Sequence, residues 1–411
     1  MSGEARDRIR QFIAARRGDA ERFLAELIRT PSDNPPGDCA PHAAKAAALL
    51  EGLGLTVERH PVPEPLVRAN GMASATNLVI RERFGAGPTV ALNAHGDVVP
   101  PGDGWSVDPY GAVVKDGWIY GRGAAASKSD FATYAFALLA LKSSGAPLGG
   151  TVELHFTYDE EVGGAIGPKW LLAEGISRPD YAIAAGFSYE VVTAHNGCLH
   201  LEVEARGKSA HAARPETGHD ALEAMTAILA ALYSLRESFA RRRSAVPGIG
   251  HPTLVVGLIS GGINTNVVPD RVVARLDRRL IPEENGEAAE KEIVACVQAA
   301  VKQPGSIAVA TRRVMLAEPL KPVPGQERLA EAIARNAEAL FGSPIPRHGV
   351  PIYTDARHYS TAGIPTVLYG AGPRVFTDAN THRADERVRL DDLAKATEVV
   401  ALSLCDLLRP A

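Results

Sequence analysis

The sequence predicts an α/β protein of two domains: a mixed, mostly parallel sheet covered by helices, with a smaller ferredoxin-like α+β domain inserted into it. Three observations lead there. The chain has 411 residues, more than one core usually organises, so two domains are expected. Strand-like and helix-like segments alternate in the first part and again near the end, the pattern of a parallel sheet with helices on both faces. Between them the order becomes β-α-β-β-α-β, that of a ferredoxin-like module.

In chain order, residues 19–30 have helical periodicity and stop before Pro31; 31–38, PSDNPPGD, is a loop by composition. A second helix is expected over 42–53, ended by Gly54. Short β-rich runs follow at 77–82, 89–94, 151–158 and 181–185, with an apolar segment, 130–141, long enough for a buried helix. The middle block reads as strands at 199–205, 253–259, 272–280 and 307–314 and helices at 221–241 and 286–301. A helix at 327–340 and a strand at 366–369 before Gly-Ala-Gly resume the first pattern. Hinges are expected near 304 and 322–325, where Gly and Pro gather.

Composition narrows the function classes. Hydrophobic residues make up 45% and the net charge is -4, so neither nucleic acid nor an anionic membrane is an expected partner. No apolar run approaches the roughly 20 residues a membrane span needs. The charged, helix-like start lacks the continuous apolar stretch of a signal peptide, and a cytoplasmic protein is expected. Cys39, Cys198, Cys296 and Cys405 are far apart, which suits free thiols rather than a disulfide framework.

Three segments carry chemistry. In NAHGDVVPPGDGW, 93–105, a strand runs into His95 and Asp97. Residues two apart on an extended chain point the same way, and a metal-bound imidazole usually donates its other N–H to a carboxylate. In TYDEEVGG, 157–164, a second strand ends in Asp159, Glu160 and Glu161. There one glutamate can bind metal while its neighbour takes a proton from water. In ANTHRADE, 379–386, His382 follows the last strand. Taken singly, each has an ordinary structural reading: a loop histidine, a solvated acidic run.

In order, these segments resemble the co-catalytic zinc hydrolases that include acetylornithine deacetylase, succinyl-diaminopimelate desuccinylase, aminoacylase and glutamate carboxypeptidase. The resemblance runs from about residue 19 to 408. It also rests on DGWIYGRGA (116–124), GKSAHAARPETGHDA (207–221), GGINTNVVPD (261–270), LDRRLIPEE (276–284) and TDARHYSTAGIPTVLYGAG (354–372). It implies a zinc-peptidase-like fold, with a catalytic domain from 1–197 and 315–411 and a lid and dimerisation domain over 198–314. By the same resemblance His95, Glu161 and His382 match metal ligands, and Asp97 the carboxylate behind the histidine. Glu160 matches the general base, and His211 a residue that reaches the partner subunit's site in a homodimer. Asn266, Arg279 and Arg357 match substrate-holding positions, where arginine pairs both oxygens of a carboxylate; a structural ion pair is the alternative for each arginine.

The sequence departs from that pattern twice. The metal-bridging aspartate should stand in GRGAAASKSD, 121–130, but with Lys128 aligned its place holds Ala126. A further acidic ligand is expected in AAGFSYE, 184–190, where Phe187 stands. Asp130 reads as a helix cap and Glu190 as a solvated residue, although either could replace a lost ligand. The leading expectation is therefore a hydrolase of an amide or peptide-like C–N bond in a small carboxylate-bearing substrate. It would use at most one divalent cation per chain, zinc first, with manganese and cobalt suited to the same donors. The alternatives are a non-catalytic binding protein on this fold, or metal-free chemistry by Ser127 or Ser129 with Lys128.

Overall fold

The computed structural model describes residues 3–301 and 306–410. The chain divides into two compact units, Met1–Thr193 with Pro322–His348 and Thr354–Ala411, and Ala194–Lys321 with Gly349–Tyr353. The expected insert, 198–314, lies inside the second unit. The hinge expected near 304 lies outside the described residues; the one at 322–325 adjoins the boundary at Lys321 and Pro322.

In the larger unit an eight-stranded sheet runs in the order Glu58–Pro61, Thr76–Arg83, Thr151–Thr157, Thr89–His95, Tyr181–Ala184, Thr366–Leu368, Val191–His195, Arg347–Val350. Its four middle strands are parallel, and antiparallel neighbours flank them. Parallel strands end at one edge, so the loops after His95, Thr157, Ala184 and Leu368 gather there, where open α/β sheets place ligands. Alternation fixes the faces. Val90, Leu92 and Ala94 join the main core with Val152, Leu154 and Phe156, while Ala91 packs with Ala182 and Tyr359 on the other side.

The main core lies beneath the helices Gly3–Ile28, Ser129–Ser143, Gln326–Phe341 and Leu390–Leu407. The helix Ser129–Ser143 buries residues all round its axis, and Phe131 stacks on Phe156 with centroids 3.9 Å apart. Truncating such a ring to alanine costs about 3–5 kcal/mol. The first helix starts at Gly3 rather than at 19. Ile9 and Ile13 continue the buried stripe of Phe23, Leu24 and Leu27, and Arg8–Glu4 and Arg17–Glu21 pairs support the exposed turns. A small antiparallel sheet joins Val113–Lys115, Trp118–Tyr120 and Arg387–Arg389, bringing residues near 121 beside Glu386.

The second unit is a four-stranded antiparallel sheet in the order Thr253–Gly261, Arg271–Leu280, Gly197–Arg206, Ala308–Ala317, the ferredoxin-like arrangement. Helices Ala221–Ser238 and Gly286–Ala299 cover one face over Leu199, Leu201, Val203 and Leu276. Asp220 caps the first helix by accepting the N–H of Leu222 and Glu223, and Asn285 caps the second at Ala288. Among the described residues no helix is long and apolar enough to cross a membrane.

Candidate functional site

The strand Thr89–His95 carries His95 to the ligand edge of the sheet. Gly96 follows because the chain passes close to Tyr158: a Cβ there would lie 2.5 Å from the ring. The turn brings fully buried Asp97 against the imidazole. His95 Nδ1 lies 3.0 Å from the Asp97 carbonyl oxygen and 3.3 Å from its Oδ1. Donation from Nδ1–H leaves Nε2 directed at Glu160, whose Oε2 is 3.9 Å away. Asp97 also accepts the N–H of Glu160 at 3.3 Å, that of Glu161 at 3.2 Å, and the side-chain N–H of Asn34 at 3.0 Å. One buried carboxylate thus orients the histidine and the turn bearing both glutamates.

Ligand atoms of His95, Glu160 and Glu161 all lie within 4.8 Å of one another. His382 joins them through Glu161, with Nε2 3.1 Å from Oε1. Its loop is strained: Asn380, His382 and Asp385 all adopt left-handed φ, at 50°, 61° and 58°. Such conformations cost about 1–3 kcal/mol each and persist where surroundings impose them. Burial pushes the Glu160 carboxyl up to about 7, aided by Glu161 and Asp97 and opposed by His95 and Arg357. Burial opposes charge on His95, but Glu160, Asp97 and Glu161 outweigh it and hold the imidazole well above its usual pKa. The field here favours a positive charge among His95, Glu160 and Glu161, and His382 reaches that cluster through Glu161.

Residues 91–406 match peptidase family M20/M25/M40. The chain belongs to that family. Succinyl-diaminopimelate desuccinylase from Gluconacetobacter diazotrophicus is 29% identical over 390 residues, 92% of this chain and 94% of the relative. Human carnosine dipeptidase 1 shares the fold at a TM-score of 0.75 and 19% identity, covering 98% of each chain. A Bacillus subtilis protein described as a dinuclear metal-binding peptidase of the M20 family aligns at 0.68 and 15%, over 96% of this chain and 99% of its own. As an M20 member the chain is a metal-dependent hydrolase of amide or peptide C–N bonds.

Within this M20 site the two departures have distinct surroundings. Ala126 sits in a loop whose backbone is held from behind: Glu386 Oε1 accepts the N–H of Ala125 at 3.0 Å and of Ala126 at 3.1 Å, while its Oε2 pairs with buried Arg122 at 2.5 Å. Glu386 stands directly before the strand Arg387–Arg389, whose pairing with Trp118–Tyr120 carries it to this loop. Ser127 Oγ is spent on the backbone of His95, accepting its N–H at 2.9 Å and donating to its oxygen at 3.0 Å. Lys128 is buried, pushed down to about 8 by desolvation, and donates to the Leu27 and Thr30 oxygens. In the alternative Ser–Lys chemistry, Ser127 and Lys128 are thus both engaged with backbone, while the Ser129 hydroxyl is buried without a hydrogen-bond partner.

Phe187 stands beside the loop after Leu368, in a bridge with Gly372. The two acidic substitutes are otherwise engaged. Asp130 is wholly buried but makes no cap; Oδ1 accepts the N–H of Ala371 at 2.8 Å, tying the helix Ser129–Ser143 to the Gly-Ala-Gly loop. Glu190 pairs with His348 at 2.7 Å.

Arg357 is buried, and its fork donates to the Thr354 and Gly163 oxygens at 2.6 and 2.5 Å, bracing the turn behind Glu161. In the second unit Arg279 forks onto Asp277 at 3.0 and 3.1 Å. Both arginines, expected to face substrate, are engaged within the protein. His211 and Asn266 lie together in exposed loops: the Ala212 N–H donates to the Asn266 oxygen at 3.0 Å, and His211 bridges Val267.

Proposed function

We propose that this M20 hydrolase cleaves an amide or peptide-like bond in a small carboxylate-bearing substrate with one divalent cation per chain, held by His95, Glu161 and His382. The observation that carries this reading is the meeting of His95, Glu160 and Glu161 within 4.8 Å while Ala126 and Phe187 remove two acidic donors. When bound, the ion supplies Lewis-acid chemistry, polarising the substrate carbonyl and acidifying water. Zinc suits two imidazoles and a carboxylate; manganese and cobalt use the same donors.

Glu160 accepts the proton of the attacking water and passes it to the leaving nitrogen. Asp97 fixes the His95 ring and the backbone of both glutamates, so no reorganisation is needed as the proton moves. His211 is proposed to donate to the developing oxyanion in the partner's site, and Asn266 to contact the substrate. Pairing of two chains through the insert is supported by its edge strand Thr253–Gly261, which exposes Val255 at 55%, Leu258 at 63% and Ile259 at 53%. The four cysteines are all free thiols, which suits a reducing compartment, and the cytoplasm is proposed as the setting.

The deciding experiment joins metal analysis to turnover of a panel of N-acyl amino acids and dipeptides. Hydrolysis that depends on the bound ion is expected; a metal-loaded protein that turns over none of the panel would refute this reading.

A further inference from the structure

We propose that the second unit carries a separate cation site, in which Cys198, His200 and Asp277 bind a zinc-class divalent ion on the open face of the four-stranded sheet. Strand alternation builds it. Leu199 and Leu201 point into the core beneath the two helices, so Cys198 and His200 share the other face. On the antiparallel neighbour Asp277 stands opposite His200 and Arg279 opposite Cys198.

The ligand atoms of all three lie within 4.8 Å of one another. His200 Nε2 is 3.2 Å from the Cys198 sulfur and 3.1 Å from Asp277 Oδ2. One ring nitrogen offers one hydrogen or one lone pair, so it cannot satisfy both neighbours fully. A cation between them accepts a lone pair from each. Zinc bonds of about 2.0–2.3 Å in a tetrahedron place ligands roughly 3–4 Å apart, close to the spacing here. Arg279 donates to both oxygens of the Asp277 carboxylate at 3.0 and 3.1 Å, the hydrogen-bonded support that metal-bound carboxylates usually receive.

Burial leaves the site one open side. The thiol is buried, while the His200 and Asp277 side chains are 38% and 31% exposed. That leaves a fourth position for water or a ligand. Thiolate with imidazole selects zinc and its borderline neighbours over calcium or magnesium, which take oxygen donors. The site goes beyond the proposed hydrolysis, and none of its three ligands is among the residues proposed to hold the catalytic ion.

Cobalt(II) is the probe, titrated into the reduced full-length chain. Among the proposed ligands of both sites only Cys198 is a thiol, so a thiolate-to-cobalt charge-transfer band in the near ultraviolet reports this site alone. We expect that band in the parent protein, its loss in Cys198→Ser, and at least about tenfold weaker binding in His200→Asn. Glu161→Gln, which removes a ligand of the other site, should keep it. Absence of the band in the parent chain overturns the proposal. So does a band that survives Cys198→Ser, or one whose affinity is unchanged in His200→Asn, a half-exposed position that keeps the test open should the serine variant misfold.

Discussion

Glu386 holds the backbone N–H of Ala126 at 3.1 Å, so the loop that lacks the expected bridging carboxylate is still gripped by a carboxylate from behind. Glu386 also holds the half-buried Ala125 and pairs with Arg122, itself fully buried like Glu386. The backbone at the position where the resemblance places an aspartate is thus fixed by hydrogen bonds of its own.

Replacing Glu386 with alanine should be costly. It leaves the Arg122 guanidinium buried without its partner and frees two N–H groups. Breaking a buried pair in this way costs about 3–5 kcal/mol. Chemical denaturation should show that loss, with an unchanged m-value; a change under 1 kcal/mol would mean that water readily replaces the carboxylate.

Glu160→Gln keeps size and polarity but cannot accept a proton. Turnover should fall at least about 100-fold with bound metal nearly unchanged. Since Glu160 shares a turn with Glu161, metal content must be measured beside the rate. Full activity in this variant would remove Glu160 from proton transfer.

Asp130 predicts a pH dependence of stability. Burial pushes its carboxyl from 3.8 up to about 7, against the pull of the Ala371 and Gly186 amides. A carboxyl that holds its proton longer when folded contributes stability that is complete below about pH 4 and lost as pH rises to about 7. Asp130→Asn can still accept from Ala371 and has no proton to lose. The variant should therefore gain on the parent across that window, by on the order of 1–3 kcal/mol at pH 8. Parallel pH profiles for the two proteins would contradict this.

The sequence made the strand ends readable because short β-rich runs stop before His95 and Asp159, where Gly and acidic residues take over. It could not disclose what depends on distant partners. Asp130 has the position of a helix cap, yet its bond is to Ala371, 241 residues away. Glu386 meets Ala126 across 260 residues. The strand Val191–His195 is short and was not expected; its place is set by pairing with Leu368. Arg357, given a substrate-holding place by the family resemblance, also braces the Gly163 and Thr354 backbone, a role that distance in the sequence hides.

If two chains pair through the insert and exchange His211, an inactive Glu160→Gln chain mixed with an inactive His211→Ala chain should recover part of the activity. A hybrid dimer would combine one intact catalytic unit with one intact His211. The expected recovery is about one quarter of parent turnover when subunits exchange freely. No recovery together with a monomer by light scattering would refute the exchange.

The metal count can be reversed by design. Two dications about 3.5 Å apart repel strongly and need carboxylates, the bridge above all, to offset that repulsion. The proposed catalytic set brings one, Glu161, so parent protein should hold close to one ion there. Because Glu386 keeps the backbone of Ala126 in place, Ala126→Asp can present its carboxylate without rebuilding the loop. Phe187→Glu would return the second lost donor beside Gly372. The double variant should bind one more ion per chain than the parent, by elemental analysis after dialysis. To keep the Cys198 cluster out of the count, the comparison is made in a Cys198→Ser background. If the parent already retains two ions in that background, the inventory of ligands at His95 and Glu161 is incomplete. If the double variant gains none, returning the two carboxylates is not enough to build a second ion site.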